Sequence, residues 1–185
     1  MKKVLTVALV LLLCLMVALP VAGANVTEVP SPDPKEPEIK QANLNGLALD
    51  ECIIITTLEQ AEAKTTDITQ EERDTLIAAY KGLEDGTLSL PLSGEYVVRD
   101  IVDISFKYAE CRQIEEHGHK DDVLKEEGVL LTVDFDMGVG EDERVCVMTY
   151  IDGKWEVIKS AENNGDGTVT CVFEDLCPVA FAVVG

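Results

Sequence analysis

Hydrophobic and polar positions alternate most clearly in the second half of the chain. Val129, Leu131, Val133 and Phe135 interleave with Leu130, Thr132, Asp134 and Asp136, the period of two shown by a strand with one dry and one wet face. Asp152-Gly153 lies between two apolar runs and predicts a two-residue type I′ hairpin that pairs Tyr150 with Trp155 and Met148 with Val157. A second turn, Asn163 to Gly167, returns the chain into Val169, Cys171 and Phe173. With three or five residues in that loop, Val157 faces Phe173, so Tyr150, Trp155, Val157 and Phe173 are expected to line one interior. Pro178 then opens a last strand carrying Val179, Phe181 and Val183.

Upstream, Cys52-Ile53-Ile54-Ile55-Thr56-Thr57 is a β-branched run that reads as a buried strand. Leu58 to Lys64 fits neither period. Thr69 with Glu72 forms a capping box and starts a helix that places Leu76, Ile77, Tyr80 and Leu83 on one face, with Gly86 ending it. Thr87 to Leu92 is extended, and Glu95 to Glu110 is strand-like with a bend near Asp100. Gln113 to Glu127 is a polar insert. Short antiparallel strands after a helix predict an α+β, β-dominated fold, its C-terminal part a β-sandwich or open barrel with one upstream helix. The folded part is expected to be a single domain, 43–185, with a helix-containing part at 43–93 and a β-sandwich-like part at 94–185.

The residues before it belong to other classes of segment. Lys2 and Lys3, an apolar run from Val4 to Leu19, Pro20 and the small residues Ala22-Gly23-Ala24 form a secretory leader over 1–24, expected to be cleaved after Ala24. The run is short of the roughly 20 residues a membrane-spanning helix needs, and no second apolar span follows, so no membrane span is expected after cleavage. Cys14 follows Leu13, not the small residue of a lipid-attachment pattern. From Asn25 to Ala42, Pro30, Pro32, Pro34 and Pro37 alternate with Ser31, Asp33, Glu36 and Glu38, which reads as an extended acidic linker.

Charge narrows the function classes. With 15 basic and 35 acidic residues the formal net charge is −20. Loss of the leader removes two lysines and no acids. Nucleic acid and anionic membrane surfaces both require a basic face and are excluded as partners. The expected partner is an extracellular protein or glycan.

Leu76-Ile77-Ala78-Ala79-Tyr80 through Leu90-Pro91-Leu92, Tyr96-Val97-Val98-Arg99-Asp100, and Asp152-Gly153-Lys154-Trp155 through Cys177-Pro178-Val179-Ala180-Phe181 together resemble a recurrent module of secreted and surface proteins, themselves uncharacterised, of Gram-positive gut anaerobes. The resemblance spans roughly residues 50 to 185. It implies an extracellular bacterial setting and a β-rich fold, and carries over no catalytic residue.

Five cysteines follow the leader: Cys52, Cys111, Cys146, Cys171 and Cys177. An odd number cannot pair completely within one chain. The derived strand pairing sets Cys146 and Cys171 two strand spacings apart, roughly 9.5 Å, beyond disulfide reach. Cys171 with Cys177 is the candidate disulfide; the alternative is that all five act as small buried hydrophobes.

Two metal sites are candidates beside a reading with no cofactor. His117 and His119 lie on one side of an extended segment and, with Asp121, offer a three-ligand set for zinc. Asp134 and Asp136 share the wet face of their strand and lead into Glu141-Asp142-Glu143, oxygen ligands suited to calcium. The Asn163 to Gly167 segment is not an EF-hand, because Phe173 stands where the bidentate glutamate belongs. No Gly-x-Ser-x-Gly, phosphate-binding glycine loop or His-Glu-x-x-His occurs. The expectation is therefore a secreted, non-catalytic binding, adhesion or envelope-associated module, with a metal-dependent or carboxylate-based hydrolase as the rival.

Overall fold

The computed structural model describes residues 35–49, 52–107, 124 and 129–185. The segment expected to be a leader, the first part of the proline-rich stretch and the insert with His117, His119 and Asp121 lie outside them. The described strands are β1 (Glu38–Leu44), β2 (Leu47–Ala48), β3 (Ile53–Thr57), β4 (Tyr96–Phe106), β5 (Leu131–Asp136), β6 (Arg144–Ile151), β7 (Lys154–Val157), β8 (Glu162–Asn163), β9 (Thr168–Phe173) and β10 (Pro178–Val184). Two helices, α1 (Leu58–Ala63) and α2 (Gln70–Glu84), separate β3 from β4.

The strands form two antiparallel five-stranded sheets, in the order β2-β1-β5-β9-β8 and β3-β4-β10-β6-β7. This is the expected β-dominated α+β, sandwich-like architecture. Val133, Phe135 and Phe173 of the first sheet meet Val102, Ile104, Val147 and Phe181 of the second. The Phe135 ring packs edge-on to Phe173 at 6.1 Å and to Phe181 at 5.1 Å, the geometry aromatic quadrupoles favour. The outer face of the second sheet is covered too: Leu76 and Ala79 of α2 are buried with Ile101, Met148, Trp155, Ala180 and Ala182. Coverage on both sides explains why Pro178 to Ala182 is buried without alternation. Ala180 and Ala182 have side chains small enough for close helix approach. No helix among the described residues is long and apolar enough to cross a membrane.

The α2 capping box forms as its sequence predicts: Thr69 Oγ1 accepts from the Glu72 amide at 3.2 Å, and Glu72 Oε2 accepts from the Thr69 amide at 2.6 Å. Leu58 to Lys64, ambiguous by period, is helical because Thr57 and Gln60 make a second such box and Lys64 closes it in the left-handed region, φ 56°. The segment expected to be linker through Ala42 becomes strand at Glu38, since Ala42 and Leu44 are buried against β5. Thr87 to Leu92 forms no strand; Leu90 anchors it on the helix-side core.

The hairpin register is the expected one, Tyr150 opposite Trp155 and Met148 opposite Val157, with left-handed φ at Asp152 (51°) and Gly153 (78°). The single interior expected for Tyr150, Trp155, Val157 and Phe173 does not exist. After Val157 the chain crosses to the first sheet, where β8 and β9 lie. Ile158 still donates to the Val147 carbonyl (3.0 Å), whereas Ser160 Oγ already bonds Val172 O (3.0 Å). Tyr150 and Trp155 therefore face the helices, Phe173 faces the other sheet, and Val157, at the edge, is 42% exposed.

Candidate functional site

A β-bulge in β4 sets the chemistry on the helix side of the second sheet. Asp100 pairs with Phe181 but Val98 pairs with Ala182, leaving Arg99 as the extra residue. The strand is re-phased there, so Val98 and Ile101, three apart, both meet the helix-side core, and Asp103 and Ser105 follow on that same face. The bend expected near Asp100 is this bulge.

Asp103 is 1% exposed, and its carboxylate accepts the Ser105 hydroxyl. Thr56 lies directly opposite in β3, fully buried, and its Oγ1 has no hydrogen-bond partner. Burial pushes the Asp103 carboxyl up to about 7, with Glu72 of α2 adding to the rise and Ser105 opposing it. Burial likewise raises Asp100 to about 6, against the Ile101 amide that donates to it. A serine beside a carboxylate suggests nucleophile and base, but neither side chain lines the groove described next. The apolar run of β4 interrupted by Asp103 and Ser105 was the available sequence signal.

Where the N-terminal half of α2 passes the β6–β7 hairpin, the surface forms an open groove of about 760 Å³. Gln70, Glu71, Asp74, Thr75 and Ala78 line it from the helix, and Tyr150, Asp152 and Gly153 from the hairpin. Helical periodicity puts the first five on adjacent faces over two turns. Tyr150 is held by Trp155, ring centroids 5.3 Å apart at 53°. Sequence reasoning used Asp152-Gly153 as a turn and Tyr150 as a core residue, and nothing local connects them to α2.

Of the candidate calcium residues, Asp134, Asp136 and Glu143 are engaged within the protein. Asp136 pairs with Lys35 at 2.8 Å and Lys40 at 3.5 Å, and the Lys35 hydrogen bond holds its carboxyl below the usual range. Asp134 accepts the Thr170 hydroxyl at 2.6 Å. Glu143 is divided between Arg99 Nη2 (3.0 Å) and the Gly140 amide (2.7 Å). Asn163 Nδ2 donates to the Gly140 and Glu143 carbonyls, which makes its loop a brace for that turn. Among the described residues no three His, Cys, Asp or Glu side chains are placed to hold one metal ion. His117, His119 and Asp121 fall outside them.

The expected Cys171–Cys177 disulfide is not formed; both thiols are free, as is Cys146. Cys171 sits in β9 of the first sheet, buried in the inter-sheet core, whereas Cys177 lies just before β10 of the second. Burial pushes each thiol up to about 12. Cys52 is disulfide-bonded, its partner lying outside the described residues. The fold and the groove have to be interpreted on their own terms, because the chain matches no known family, no curated protein and no solved structure.

Proposed function

We propose that this chain is a secreted, non-catalytic binding module, acting in adhesion or at the cell envelope and contacting an extracellular protein or glycan through the α2–hairpin groove. One observation carries the reading. The groups whose ionisation burial shifts most, Asp100, Asp103, Cys171 and Cys177, are buried or half-buried, and none of them lines the groove. Hydrolytic sites gather such groups at a concave surface, whereas a binding face does not need them. The leader pattern and the disulfide at Cys52 both favour an oxidising exterior, in keeping with the resemblance to secreted and surface modules. The test is to probe the purified chain against arrayed glycans and extracellular proteins in parallel with chromogenic glycosidase, esterase and protease substrates. Saturable binding without turnover is expected; turnover above the buffer rate, abolished by substituting a carboxylate, overturns the reading.

A further inference from the structure

The groove has a definite chemical character. Glu71, Asp74 and Asp152 bring three carboxylates to it, while Tyr150, Ala78 and Thr75 supply apolar surface between them. The nearest cation of the hairpin, Lys154, is paired with Glu156. An α2 N-terminus carries only about half a positive charge, and the reciprocal Thr69–Glu72 cap satisfies the amides of Thr69 and Glu72. Arg73 reaches the rim of the groove, donating to Gln70 Oε1 at 2.9 Å, and Gln70 Nε2 in turn donates to Asp74 at 2.7 Å; three carboxylates against this one cation leave the local potential negative. An aromatic ring flanked by carboxylates suits a cation on an aliphatic stem: the stem packs on the ring and the charged head meets the acids. The lined stretch of α2 runs from Gln70 to Ala78, about 12 Å at helical rise, which matches three or four residues of extended chain.

We propose that the groove receives an extended, lysine- or arginine-bearing segment of a partner protein, held by Glu71, Asp74 and Asp152 around Tyr150. The proposal rests on the reading of the chain as a binding module and names its partner class. The net charge of −20 attracts any polycation, so the test must separate the groove from the overall field. Binding of a fluorescent octalysine peptide, with octaglutamate and a neutral serine-glycine octamer as controls, is measured by anisotropy. The wild-type chain is compared with the E71Q/D74N/D152N variant and with E62Q/E84Q/E174Q, which removes the same charge from exposed positions outside the groove. Asn at 152 tolerates the left-handed φ that Asp152 adopts, and matching melting curves check folding.

About tenfold weaker octalysine binding is expected for the groove variant, from three lost charge contacts, and less than about twofold for the control variant. A loss in the groove variant no larger than in the control, or no octalysine binding by the wild type, overturns the proposal. Binding to an arrayed glycan or neutral protein under those same conditions leaves the module reading standing, so the two fail separately.

Discussion

Ser105 donates its hydroxyl hydrogen to the carboxylate of Asp103, two positions earlier on the same strand, and both side chains are enclosed beneath the helices. That bond stabilises the ionised carboxylate, yet burial outweighs it and the group titrates near neutrality.

The pH dependence follows from that balance. The unfolded carboxyl releases its proton near 3.8 and the folded one at about 7, so the folded state binds more protons between these values and stability falls as pH rises through that window. The shift sets an upper bound of roughly 4 kcal/mol. Asp100, raised to about 6, acts in the same sense over the lower part of the window. Asp85, Asp136 and Asp166, held below the usual range by bonds from Thr87, Lys35 and Thr168, lose their contribution in the opposite direction, as pH falls below about 4. Urea midpoints are therefore expected to be higher at pH 5 than at pH 8. Asp103→Asn, which keeps an acceptor for Ser105, should stabilise the domain at pH 8 and flatten the slope; an unchanged slope refutes the assignment.

Removing the aromatic junction between the sheets should be severe. Phe135 is fully buried and touches both Phe173 and Phe181. Phe135→Ala is expected to cost about 3–5 kcal/mol, a large share of a small domain's stability. Val157→Ala, at the exposed edge, should shift the same denaturation curve by less than about 0.5 kcal/mol.

The hairpin should discriminate sharply between its two turn residues. Gly153 has φ 78° and open space where a Cβ would stand, so Gly153→Ala costs backbone strain alone, about 1–2 kcal/mol. Asp152→Asn should leave the melting temperature nearly unchanged, because Asn adopts the left-handed region readily. Equal effects from the two substitutions would contradict a type I′ turn here.

Thiol chemistry offers an independent check. Cys171 and Cys177, raised to about 12 by burial, should resist iodoacetamide at pH 8 until denaturant is added. Dithiothreitol should lower the melting temperature through the disulfide at Cys52, the usual loss being about 2–4 kcal/mol. A C171A/C177A variant should keep that response to reductant in full.

Much of the fold is legible in the sequence where a signal is local. The Thr69–Glu72 cap, the alternation from Leu131 to Phe135 and the Tyr150–Trp155 pairing all depend on neighbours within a few residues, and each appears where the pattern puts it. The sheet change after Val157 is not local. The same alternation is compatible with a chain that turns within one sheet or crosses to another; the pairing of β9 with β5, distant in sequence, is what makes it the second. That crossing places Cys171 and the residues just after Cys177 in different sheets. The strand at Glu38 was hidden by the prolines before it, and the disulfide at Cys52 by an odd cysteine count. The groove was illegible for a related reason: Asp74 and Asp152 are brought together by tertiary packing, and no spacing encodes their approach.

The last of the described strands occupies the middle of its sheet. β10 bridges β4 and β6, so until Pro178 to Val184 has emerged these two have no common neighbour, and α2 lacks Ala180 and Ala182 beneath it. Closure from such distant pieces makes assembly slow and postpones it until β10 has been made. Every nascent form ending short of Ala182 leaves an apolar cleft down the centre of the second sheet, where chaperones or aggregation would find their target.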